Sequence, residues 1–148
     1  MAPRNTLAAE RRKARHYGMQ ALYQWLMADT PPREIESQFR EEYDFSHVDL
    51  EYFQALVYGV PESVAELDET FKPFLDRELD ELDPIERTLL RMGTFELARR
   101  EDVPYKVVIN EAVSLTKKFG ATDGHKYING VLDKVARHLR KAEIDGAS

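Results

Sequence analysis

The sequence predicts an all-α protein, a compact bundle of about seven helices, and three observations carry that expectation. Apolar residues recur three and four positions apart almost from end to end. Prolines fall where those periodic segments break, at Pro31, Pro32, Pro61 and Pro84. The one β-like run, Val107, Val108 and Ile109, could be a short buried strand but has no partner strand in view.

The first helix is expected from about Leu7 to Ala28, with Ala14, Gly18, Ala21, Leu22 and Trp25 on one buried stripe. Pro31 and Pro32 stop it. A short charged helix follows within PPREIESQFREEY, where Ile35 and Phe39 are four apart. A third begins near Asp49 and turns Leu50, Phe53, Leu56 and Val57 inward. Gly59 and Pro61 should kink or split it before it resumes through Val64, Leu67 and Phe71.

The segment DPIERTLLRMGTFELARR opens with Asp83 as N-cap, Pro84 in the first helical position and Glu86 three after the cap, a helix-start signature. Two stripes, Ile85/Leu89/Met92 and Leu90/Gly93/Leu97, make this helix apolar over a wide arc and therefore central. The next helix carries Val108, Ala112, Leu115 and Phe119 inward and stops at Gly120. The last, from about Asp123 to Lys141, buries Ile128, Val131, Leu132, Val135 and Leu139, with Thr122 or Asp123 as its cap.

With 148 residues the chain can bury one core without a staple, and with no cysteine it holds neither disulfides nor thiolate metal sites. The N-terminus lacks the apolar region of a secretory signal, and no run approaches the roughly 18 apolar residues of a membrane span. The expected location is cytoplasmic. The net charge of −6 conceals a segregation along the chain. Residues 1–28 carry five Lys/Arg against one acid, residues 29–102 eight against twenty-one, and residues 103–148 eight against five. Basic ends that meet in the fold would suit phosphate, and an acidic middle would suit a basic protein; solvated helix faces account for the same pattern.

Little points to bond-making chemistry. His16, His47, His125 and His138 are scattered, with no H-x-x-x-H pair for a metal. GATDGHK has three residues between its glycines where a phosphate loop has four, and no Ser or Thr after the lysine. Carboxylates abound, but on helices where solvation explains them. No catalytic residue, metal site or cofactor is expected.

Binding chemistry is better represented. Arg11, Arg12, Lys13 and Arg15 crowd the start of the first helix, where cations oppose the helix dipole, so a phosphate ligand would give them a reason to be there. At about 100° per residue, Arg12, His16, Met19 and Tyr23 form a stripe nearly opposite Trp25, which leaves Tyr23 exposed as a recognition residue or packed on a neighbouring helix. In KKFGATDGHKYINGVLDK, Tyr127 shares a helix side with Lys134 near a helix N-terminus. An aromatic beside cations and free N–H groups can hold single-stranded nucleic acid. The alternative makes Tyr127 a rim residue of the core and Lys117, Lys118 and Lys126 ordinary helix-end charges.

The segments RRKARHYGMQALYQW, DVPYKVVINEAVSLTKKFG and HKYINGVLDKVAR together resemble the NusB family of transcription antitermination factors, from about residue 11 to 138. The resemblance implies a helical fold in two subdomains that binds the boxA element of ribosomal RNA transcripts together with NusE, a small-subunit ribosomal protein. The complex joins the elongating RNA polymerase with other Nus factors and suppresses termination. By position it implies RNA contacts at Arg11, Arg12, Lys13, Arg15, Asp123 and Tyr127, and NusE contacts at Tyr23 and Glu86. Residues 1–10 are then expected as a flexible basic arm, 11–141 as one NusB-like helical domain and 142–148 as a flexible tail.

Gly18 and Gly93 stand where alanine is expected in the family, Gly124 where serine is commoner, and Tyr127 where phenylalanine is typical. The rival readings are a helper domain like that of RNA cytosine methyltransferases, against which stands the lack of an α/β domain or glycine-rich cofactor loop in the sequence, and a purely protein-binding bundle. A basic face of this kind is open to RNA or to a second copy of the chain in a homodimer. No membrane partner is expected.

Overall fold

A computed structural model describes residues 4–120 and 123–146. Among them are eight α-helices, two short 3-10 turns and no strand. The run Val107 to Ile109 is accordingly helical. The helices are α1 (Arg4–Ala28), α2 (Pro32–Glu42), α3 (Leu50–Glu62), α4 (Val64–Phe71), α5 (Pro84–Arg99), α6 (Tyr105–Phe119), α7 (Gly124–Leu139) and α8 (Lys141–Gly146). The chain divides into two compact units, Met1–Glu62 and Ser63–Ser148.

In the first unit α1 packs against α2 and α3. Gly18 lets α3 come close: a Cβ there would lie 3.1 Å from a methyl of Leu56. Asp49 starts α3, its carboxylate accepting the Tyr52 N–H at 3.0 Å. Ile35 and Phe39 are buried as their spacing predicts, and Phe39 belongs to an aromatic cluster with Tyr17, Tyr43, Phe45 and Phe53. Pro61 is accommodated inside α3; the break comes at Ser63, before α4.

In the second unit α5 packs on α4, α6 and α7, and every residue from Thr88 to Leu97 is buried. That matches the wide apolar arc. Asp83 caps α5, accepting the N–H of Ile85 at 2.8 Å and of Glu86 at 3.4 Å. Gly93 is a close-approach position, since a Cβ would stand 2.7 Å from one methyl of Leu132 and 2.9 Å from the other. Arg91 grips Asp68 of α4 through two bonds of 2.8 Å.

Arg140, just past α7, is buried and donates to the carbonyls of Glu96, Leu97, Arg100 and Val103. The last carbonyls of a helix are short of intrahelical donors, and one guanidinium reaches Glu96 and Leu97 at the end of α5 as well as Arg100 and Val103 in the connection after it. Asp123 holds the N-cap position of α7 without a side-chain cap bond, and Thr122, the other expected cap, lies outside the described residues.

Candidate nucleic-acid interface

The four cations at the start of α1 meet different fates because the helix has neighbours on more than one side. Arg12 and Lys13 are exposed. Arg11 is half-buried, its Nε 3.4 Å from an Asp49 carboxylate oxygen and its guanidinium 5.0 Å from the centre of the Tyr52 ring. Arg15 is only 3% exposed; it donates to the Tyr52 hydroxyl at 3.2 Å and also lies over that ring. Of the expected phosphate ligands, Arg15 is thus bound into the protein and Arg12 and Lys13 face solvent.

The stripe expected opposite Trp25 needs correction. Met19 is 1% exposed, while Tyr23 and Trp25 are both half-buried. Packing of α2 as well as α3 on α1 widens the buried arc beyond the single stripe that periodicity suggested. Tyr23 keeps part of its surface open.

In the second unit three of the expected residues come together. Tyr127, in the first turn of α7, is half-buried, and Asp123 before it is exposed. Glu86, 7% exposed, reaches from α5 to the same helix start: a Cβ on Gly124 would lie 2.9 Å from its Oε2. A serine at this position would have to displace that carboxylate. Burial, with the Asp83 carboxylate adding to it, pushes the Glu86 carboxyl above its usual range; Arg77 and the Asp83 backbone N–H oppose the shift.

Sequence reasoning missed Arg77 altogether. Its guanidinium carbon sits 4.3 Å from the centre of the Tyr127 ring, and its Nε donates to Asp76 at 2.7 Å. The backbone N–H of Asp76 in turn donates to the Tyr127 hydroxyl at 3.3 Å. The available signal was a lone arginine amid five acids, Asp76, Glu78, Asp80, Glu81 and Asp83.

Such an arrangement offers groups for binding. No group of three or more His, Asp or Glu among the described residues could hold a metal ion, and no described helix is long and apolar enough to cross a membrane. An exposed basic turn in one unit and an aromatic with a cation at a helix start in the other are chemistries of phosphate and base recognition.

Known proteins decide the family. The NusB family model matches residues 12–137, which takes in both of these segments. The chain belongs to the NusB family. It is 56% identical over 137 residues to the transcription antitermination protein NusB of Pseudomonas entomophila, covering 93% of this chain and 82% of that protein. The NusB of Hahella chejuensis is 54% identical, with 93% of each covered. A crystal form of T. maritima NusB shares the fold with a TM-score of 0.78 at 28% identity, over 91% of this chain and 96% of that one. The eight-helix arrangement is therefore a NusB arrangement in which Arg12, Lys13 and Asp123 are exposed, Tyr127 is half-buried and Glu86 is buried.

Proposed function

We propose that this chain is an RNA-binding transcription antitermination factor. It holds boxA RNA of ribosomal RNA transcripts together with NusE, works in the cytoplasm within the elongating polymerase complex, and makes or breaks no covalent bond. The observation that carries the reading is the family match running unbroken through both the basic turn of α1 and the Tyr127 turn of α7. In it, Arg12 and Lys13 take phosphate directly, with Arg11 at their edge, and Tyr127 offers a ring for an unstacked base beside Asp123. Arg15 contributes by fixing the turn through Tyr52 rather than by reaching solvent.

Tyr23 and Glu86 serve the ribosomal partner. A basic ribosomal protein is the complement that an acidic middle segment selects, since charge complementarity sets partner choice and association rate.

Titration with a labelled boxA-like single strand and with a scrambled strand of equal length, each with and without NusE, tests the proposal. Preference for the boxA-like strand, sharpened by NusE, is expected. Equal binding of both strands under both conditions would overturn it.

A further inference from the structure

Arg77, Asp76 and Tyr127 form a closed set within the second unit. The flat guanidinium of Arg77 covers the Tyr127 ring at 4.3 Å. Its edge is forked onto the Asp76 carboxylate, Nε at 2.7 Å and Nη2 at 3.3 Å. Asp76 is anchored in turn by its N–H bond to the Tyr127 hydroxyl. The pair is open to solvent, the side chains of Arg77 and Asp76 being 39% and 65% exposed. Besides Asp76, the carboxylate of Glu86 also acts on Arg77.

A planar cation lying on an aromatic face has the shape of a stacked nucleobase, and a carboxylate gripped by a guanidinium fork has the geometry of a gripped phosphate. We propose that Arg77, Asp76 and Tyr127 are a nucleobase-and-phosphate subsite that the free protein fills with its own side chains. On binding, an unpaired base takes the ring face of Tyr127. Arg77 moves off, exchanging the Asp76 carboxylate for the phosphate that adjoins the base. Arg77 is then an RNA ligand in its own right, and Asp76 is the group that holds it in reserve. The proposal rests on the RNA-binding reading above and adds to it a residue and an exchange.

A double-mutant cycle with a short, labelled, boxA-like single strand tests it, using Asp76→Asn, Arg77→Ala and the double variant. Both substitutions fall on solvent-open side chains, and circular dichroism with thermal melts checks that each of the three variants folds. Asp76→Asn should tighten binding roughly two- to fivefold, the worth of releasing an exposed ion pair. Arg77→Ala should weaken binding, and adding Asp76→Asn to it should then change nothing. Equal tightening by Asp76→Asn with and without Arg77 would reduce Asp76 to a distant repelling charge and overturn the exchange. So would tighter binding by Arg77→Ala, which would make Arg77 a cover and not a ligand. Failure of the parent protein to bind the strand overturns the function and this subsite together, whereas binding by the parent with an uncoupled cycle overturns the subsite alone.

Discussion

Arg15 donates a 3.2 Å hydrogen bond to the hydroxyl of Tyr52, thirty-seven residues away, while its guanidinium lies over the same ring. The last cation of the arginine-rich segment is thereby committed to the packing of α1 on α3. Neighbouring Arg12 and Lys13 face solvent. Four residues that read as one basic patch in the sequence therefore do two jobs.

Substitutions should separate those jobs. Arg15→Ala loses a buried hydrogen bond and a desolvated cation-π contact and should destabilise the protein by about 2–4 kcal/mol, read by thermal or urea unfolding. Arg12→Ala and Lys13→Ala should leave the melt within about 0.5 kcal/mol of the parent, as surface changes do, while weakening RNA binding. Equal stability loss at Arg12 and Arg15 would contradict this division.

Gly93 invites replacement by alanine, a better helix former by about 1 kcal/mol. Its contact with Leu132 decides otherwise. A methyl group would meet both Leu132 side-chain methyls under 3.0 Å, and Leu132 is fully buried. Gly93→Ala should thus destabilise by about 1–3 kcal/mol through overpacking, and Gly93→Ala combined with Leu132→Val should recover part of the loss. Calorimetry of the two variants checks this; a stabilised Gly93→Ala would show that α5 and α7 yield easily.

Arg140 has no counterpart among the residues that spacing nominated, although it follows directly on the apolar stripe of α7. Removing its side chain takes a donor from the carbonyls of Leu97 and Val103 and a second donor from those of Glu96 and Arg100, which also accept the N–H of Arg100 and Val103, so Arg140→Ala should cost about 3 kcal/mol. Arg140→Lys should recover only a fraction, because a single ammonium cannot reproduce the planar fork. Urea unfolding of both variants measures the difference, and full rescue by lysine would contradict the geometric account.

Stability should also respond to pH at Glu86, whose carboxyl is raised first by burial and then by Asp83. A folded-state pKa above the unfolded value means the folded protein holds that proton more tightly. The contribution is complete below the ordinary glutamate range and is lost as pH rises through the raised value. Glu86→Gln should therefore be at least as stable as the parent at neutral pH, with the gap closing in acid. A variant less stable than the parent at neutral pH would show that ionised Glu86 is held by a favourable partner.

Helix type and order were legible in the sequence because each element carries its own signal: Asp83 and Pro84 at the start of α5, Ile35 and Phe39 in α2, the long stripe of α7. Burial on α1 was less so. Periodicity gives the phase of a helix but not how many neighbours it will have, and Met19 was placed on the wrong side for that reason. Contacts between distant segments left little trace. Nothing in the spacing joins Arg77 to Tyr127, Arg15 to Tyr52, or Arg140 to the end of α5, since each pair is made by folding. The role of Gly93 was hidden likewise, because a propensity scale sees the missing methyl and not the leucine that fills its place.

In the proposed function a single-stranded transcript is held by the exposed cations of α1 and by the Tyr127 turn of α7. Amide chemical-shift mapping during titration with boxA-like RNA checks this residue by residue. Arg12 and Lys13 and the residues from Asp123 to Tyr127 should shift together along one binding curve. Shifts confined to only one of these two segments, or two curves with separate affinities, would contradict it.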